Sequence, residues 1–158
     1  MKTIRKPLCQ GFTLTELMVA LAVLAILVVI AVPSFSNMVA TQATRNASFD
    51  LSSAMAMARS EAVKQNAIAT VSTTSNWATG WVLTVNATVV RTFGPYSGVT
   101  ITSSSSNPLS LSFGNDGRPT AGTSTFQVTP SGQGQSVSPA CVQVGGTGRV
   151  AIVSGVCS

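Results

Sequence analysis

Glu16, Asp50, Glu61 and Asp116 are the only carboxylate side chains, and there is no histidine anywhere in the sequence. Hydrolysis by paired carboxylates is left with almost no material. Ser-His-Asp and Cys-His nucleophilic catalysis are excluded outright, as is every zinc site that uses histidine. Cys9, Cys141 and Cys157 are the cysteines, and no third ligand stands near the last two to complete a metal site. No Walker loop or dinucleotide fingerprint is present. Gly145, Gly146 and Gly148 lie close together, but a glycine-rich hairpin turn explains them without a phosphate. The inventory points away from an enzyme, with no cofactor and no metal.

The nine cations give a net charge of +5, which suggests an anionic partner until their positions are considered. Lys2, Arg5 and Lys6 stand ahead of a long apolar run; from Phe12 onward six cations face four acids, a net +2. A polybasic nucleic-acid surface loses most of its support.

These residues must be positioned by a chain of 158 residues, room for one ordinary domain plus an appendage. Its 45% apolar content is enough for a core, and its 8% charged content is about a third of the usual share. The appendage is plain. Leu17 to Val32 is sixteen residues without a polar side chain, and from Phe12 the segment is 21 residues. As a helix it spans roughly 32 Å, enough for a hydrocarbon core of about 30 Å. With Lys2, Arg5 and Lys6 on its N-terminal side, positive-inside logic places the N-terminus in the cytoplasm and the rest outside. A cleaved secretory signal peptide is the alternative, but its apolar region is usually about 7 to 15 residues and ends in small residues of the A-x-A kind. This run is longer and ends Ile30-Ala31-Val32-Pro33-Ser34-Phe35. A lipoprotein signal fails because Cys9 precedes the run.

Pro33 removes one helical hydrogen bond and predicts a kink without necessarily ending the helix. Beyond it Ala43, Ala47, Leu51, Ala54, Ala58 and Ala62 recur at spacings of 4, 4, 3, 4 and 4, one face of a helix. Arg45, Ser48, Ser52, Arg59 and Lys64 fall mainly off that stripe. A face made largely of alanine predicts close packing against a β-sheet of the same domain. One helix is expected from about Phe12 to about Asn66.

After Asn66 the period becomes alternating. Leu109-Ser110-Leu111-Ser112-Phe113 alternates strictly, and residues 99–102 and 125–128 follow the same rule. Further strand candidates are residues 68–72, 81–85, 88–93, 142–144 and 149–153, separated by clusters of Gly, Pro, Asn and Ser. The fold class is α+β: a long N-terminal transmembrane helix continuing into an amphipathic helix packed on an antiparallel β-sheet domain.

The stretch Lys6-Pro7-Leu8-Cys9-Gln10-Gly11-Phe12-Thr13-Leu14-Thr15-Glu16-Leu17 resembles the class III signal of type IV pilins and pseudopilins. That signal is a short basic leader, then Gly, Phe, three mostly apolar residues, Glu and an apolar helix, and Pro33 falls where the family commonly carries a kinking proline. The resemblance implies that prepilin peptidase cuts after Gly11 and N-methylates Phe12, removing Cys9 with the leader. It also gives Glu16 a purpose. A carboxylate in a membrane costs up to about 2.5 to 3.5 kcal/mol at depth. The new α-amino group of Phe12, on the same or a neighbouring subunit, would neutralise it and set the axial register between helices. The alternative is a carboxylate resting passively in the headgroup region.

Met57-Ala58-Arg59-Ser60-Glu61-Ala62-Val63-Lys64 resembles a helix end frequent in the GspH/FimT pseudopilins. Trp77, Gly80 and Trp81, and Phe113-Gly114 to Gly117-Arg118-Pro119, look like the same pattern. The implied organisation is a leader at 1–11, a helix at 12–66 with 12–32 transmembrane, and a periplasmic β-rich domain at 67–158. On the periplasmic side Cys141 and Cys157, the cysteines left after cleavage, would form a disulfide. The bridge closes a seventeen-residue loop, worth about 3 kcal/mol in the chain-entropy model. Two buried free thiols are the alternative.

The family reading implies a structural minor pilin or pseudopilin that initiates or caps a filament, starting in the bacterial inner membrane. Its partners would be other pilins, prepilin peptidase, the inner-membrane assembly platform and, before assembly, lipid. Some FimT members take up DNA through a C-terminal Gly-Arg-x-Arg element, so DNA is the alternative partner. Here that stretch is Gly148-Arg149-Val150-Ala151, with the second arginine replaced. Arg149, Arg118 and Arg91 are the cations left for such a contact.

Overall fold

The computed structural model describes residues 12–105, 108–132 and 137–158, with all their side chains except those of Val32 and Pro33. Its first element, α1, is one helix from Leu14 to Gln65. Thr13 starts it, its Oγ1 accepting a hydrogen bond from the Glu16 backbone N–H at 3.2 Å, as an N-cap does. Asn66 ends it in the left-handed conformation at φ 49°. There Ala67 N–H donates to Ala62 C=O and Asn66 N–H to Val63 C=O, the paired bonds that close a helix C-terminus. The expected ends at Phe12 and Asn66 thus fall on residues that flank the helix. Pro33 lies within it.

The chain divides into two units, 1–35 and 36–158, so the compact unit takes in the second half of α1. In the first unit every described side chain is exposed. In the second, Ala47, Leu51, Ala54, Ala58 and Ala62 are fully buried, with Ala43 packed at the margin of the same cluster. The buried face is wider than the alanine stripe. Thr44, Ser48 and Met55 are buried too, and Ser48, expected off the stripe, enters because its Oγ donates to the Thr44 carbonyl at 2.7 Å. That bond removes the cost of burying the hydroxyl.

Among the described residues eight strands follow: β1 Ala69–Ser72, β2 Trp81–Val85, β3 Thr88–Phe93, β4 Val99–Ser103, β5 Ser110–Phe113, β6 Ser124–Pro130, β7 Ala140–Val144 and β8 Val150–Ser154. They form two four-stranded sheets, ordered β3-β2-β1-β5 and β4-β6-β7-β8, and every pairing is antiparallel. The division into two sheets was not foreseen. It arises because β1 is flanked by β2 on one side and by β5 on the other, as in the register Val71↔Leu83 and Val71↔Leu111. That leaves β4 to pair with β6, in the second sheet.

Both sheets feed one core with the buried face of α1. Alternation decides which residues enter it: β1 reads buried, half-buried, buried, half-buried, and β2 and β6 continue the same pattern. Trp77, in the short 3-10 turn Trp77–Thr79, meets Phe126 edge-on at 5.0 Å between centroids. Its indole N–H donates to the Pro108 carbonyl at 2.7 Å, which satisfies the one polar atom of a buried ring.

Candidate functional site

The site at the start of α1 is built from a few adjacent residues. Phe12 and Thr13 precede the helix, and Glu16 is the acidic residue of its first turn. Because the Thr13 hydroxyl takes the Glu16 N–H, the first turn is fixed while Phe12 stays outside the helical hydrogen-bond ladder. The unpaired N–H groups of a first turn carry partial positive charge, so a carboxylate here is favoured. Phe12, Glu16, Val19 and Ala20 line one shallow recess on this end, and Phe12 is 75% exposed. Gly11 and Cys9 lie outside the described residues.

The cations singled out from the sequence stand in three different settings. Arg91, on edge strand β3, holds its guanidinium over the Phe93 ring at 4.9 Å. Arg118, in the turn after β5, has Nε 3.9 Å from an Asp116 carboxylate oxygen, both side chains well exposed. Arg149, just before β8, lines a groove of about 840 Å³ that also takes in Arg59 and Lys64 from α1. Lys64 is already paired with Glu61 at 3.3 Å. Hydrogen bonds from Gln65 and then Lys64 hold the Glu61 carboxyl below its ordinary pKa.

Cys141 and Cys157 are joined by a disulfide, their Cα atoms 5.1 Å apart. Cys141 lies on β7, and Gln127 on β6 fastens the same tail: its amide nitrogen donates to the Gly155 carbonyl and its amide oxygen accepts from the Cys157 N–H. The C-terminus is therefore stapled to the second sheet by one covalent and two polar links. Among the described residues no group of three or more His, Cys, Asp or Glu could hold a metal ion.

Three residues with roles in this geometry were not picked out from the sequence. Thr13 was legible, since Thr-x-x-Glu ahead of an apolar run is the spacing of a capping box. Arg59 was not, because its neighbours come from distant turns. A Cβ built on Gly117 would stand 3.2 Å from Arg59 Nε, and one on Gly148 would stand 3.0 Å from it. Asp50 likewise gave no signal of its bond from the Tyr96 hydroxyl at 2.8 Å, which ties the segment after β3 to the helix.

Comparison with known proteins adds two family matches. The family described as type II transport protein GspH matches residues 47–148, and the prokaryotic N-terminal methylation motif matches residues 6–32. No curated protein matches the sequence. Among solved structures the chain is similar to the type IV minor pilin FimU of Pseudomonas aeruginosa strain PAO1, seen in two crystal forms. For one the TM-score is 0.61 at 20% identity, covering 70% of this chain and 87% of that one. For the other it is 0.60 at 20% identity, covering 69% and 91%. At that identity the likeness speaks to the fold, a long N-terminal helix followed by antiparallel sheets.

Proposed function

From the GspH family of pilin-type structural subunits, to which this chain belongs, we propose a specific role: a minor pilin or pseudopilin that helps to initiate or cap a filament supporting pilus biogenesis or protein secretion. The observation that carries the proposal is the coincidence of two matches on one chain. The methylation motif covers an apolar segment whose described side chains are all exposed, and the GspH match covers most of the packed unit, residues 47–148 of 36–158.

In this reading the subunit starts in the inner membrane, with Lys2, Arg5 and Lys6 on the cytoplasmic side and the sheets in the periplasm. Prepilin peptidase hydrolyses the Gly11–Phe12 amide, and the α-amine so released on Phe12 is methylated. Phe12 already lies ahead of the capped helix, so its new charge projects beyond the first turn. Glu16 on a neighbouring subunit neutralises that amine, and because the carboxylate sits at one height on the helix, the pair fixes how far one helix slides along the next. Large apolar side chains then exchange lipid for other helices, an exchange driven by packing because lipid is equally apolar.

The test is deletion of the gene, scored by sheared surface pili and by exoprotein in the medium, with complementation by the wild-type gene and by Glu16→Ala. Loss of either product, restored by the wild type and not by Glu16→Ala, is expected. Deletion that leaves both unchanged overturns the proposal.

A further inference from the structure

We infer that the groove between the C-terminal part of α1 and the β7–β8 turn receives an acidic segment of a different pilin subunit, with Arg59 and Arg149 holding its carboxylates. The inference rests on the filament-subunit reading above. Three cations line this groove, Arg59, Lys64 and Arg149. Lys64 is compensated by Glu61, whereas no ion pair among the described residues engages either arginine.

Arg59 is exposed, and its stem has close neighbours. Its Nε lies against two turn glycines, Gly117 and Gly148, both at positive φ. A Cβ at Gly148 would run into the Gly117 carbonyl oxygen, so the two turns are in close contact where the Arg59 side chain crosses them. The planar fork of a guanidinium suits a carboxylate.

The occupant follows from charge and from the groove walls. Ala56, Val63 and Val150 line the groove beside the cations, and Val63 is 54% exposed. Apolar walls with two cations fit a peptide segment that carries acidic and apolar side chains. They do not form the track of cations that a phosphodiester backbone requires. A second copy of this chain is a poor occupant for two reasons. Residues 36–158 hold six cations and three acids, a net +3 that repels its like. All three acids are already engaged: Asp50 accepts from Tyr96, Glu61 from Gln65 and Lys64, and Asp116 from the Arg118 backbone N–H at 3.0 Å. The carboxylate that completes the groove must come from a different subunit.

The test uses the full-length gene in its own cells, with Arg149→Glu and Arg59→Gln made separately, Arg149→Lys as the charge-keeping control, and the Cys141–Cys157 disulfide assayed in each variant as the check on folding. Arg149→Glu should lower the filament or secretion product about tenfold or more, Arg59→Gln should lower it less, and Arg149→Lys, which keeps the charge but not the fork, should lower it least. An Asp→Lys or Glu→Lys change in another pilin subunit should restore the Arg149→Glu strain. If deletion abolishes the product but Arg149→Glu and Arg59→Gln both sustain it, the groove inference is overturned while the subunit reading stands. If deletion itself changes nothing, both are overturned. If detergent-solubilised wild-type protein retards a DNA duplex, both substitutions abolish the shift and the product is unaffected, the groove is a nucleic-acid site and the inference is overturned.

Discussion

Leu24 and Leu51 occupy the same helix, yet the first is 55% exposed and the second is fully buried. The first half of α1 is built from Leu, Val and Ile, and the second half turns mostly Ala toward the core. Hydrophobicity alone would have ranked the first half as the better core. What differs is the partner. The alanine face is buried in a core that Trp77, Trp81, Phe113 and Phe126 fill from the rest of the unit, whereas large apolar side chains that nothing within the unit covers are a surface for other molecules. One half of the helix is completed by this chain and the other half by what surrounds it.

That contrast is open to a direct measurement, because both tryptophans, Trp77 and Trp81, are buried in the compact unit and none lies in the apolar segment. Tryptophan emission of the full chain in detergent therefore reports on the compact unit alone. Leu51→Ala should destabilise that transition by about 2 to 5 kcal/mol, the usual cost of emptying a packed site. Leu24→Ala removes the same atoms from a side chain with no core to lose and should leave the transition within about 0.5 kcal/mol. A Leu24→Ala loss comparable to that of Leu51→Ala would break the comparison.

The disulfide asks whether the compact unit owes its order to packing or to the staple. Cys141→Ser with Cys157→Ser opens a loop of seventeen residues, which should lower stability by about 3 kcal/mol in the chain-entropy model. The buried alanine face should keep the transition cooperative. Loss of a cooperative tryptophan transition in this variant would mean that the staple, and not the helix–sheet core, organises the unit.

Much of this was legible in the sequence because it is local. The spacing of Gly11, Phe12 and Glu16, the apolar run and the alanine period can each be read along a few turns. All eight strands were placed, since alternation marks them wherever one face is buried; β6 runs longer than expected, from Ser124 to Pro130. Alternation names the face but not the neighbour. That β1 takes β5 as its second partner, leaving β4 to β6, depends on long-range pairing, and so the two-sheet arrangement was not visible. The Arg59 setting escaped for the same reason, since it is made by two turns far along the chain. Thr13 is local too: its hydroxyl caps the Glu16 backbone N–H at the Thr-x-x-Glu spacing.

The alanine face itself can be tested by addition. Ala58 is fully buried, and Ala58→Leu inserts three carbons where the sheets lie against the helix. A cost of about 1 to 3 kcal/mol is expected from overpacking. Ala25→Leu, the same change in the apolar segment, should leave tryptophan-monitored stability unaltered. Equal tolerance at both positions would show that the alanines are not set by the packing of the core against the helix.

The smallest effect expected lies in alkali. Tyr96 stacks on Trp81 with ring centroids 4.8 Å apart and donates its hydroxyl to Asp50 on α1. Burial first, then the hydrogen bond and charge of Asp50, raise the phenol above its ordinary pKa of 10.0. The folded state thus keeps a proton that the unfolded chain releases sooner. The stability this contributes is fully present below about pH 10 and is lost as pH climbs from there toward the folded value. Tyr96→Phe keeps the stacking ring and removes the titrating group, so its thermal midpoint should fall less steeply than that of wild type above pH 10. At neutral pH it should lose only about 0.5 to 1.5 kcal/mol for the hydrogen bond. Parallel slopes in the two proteins would show that the Tyr96–Asp50 link does not hold the segment after β3 to the packed half of α1, and that the alanine face secures that half by itself.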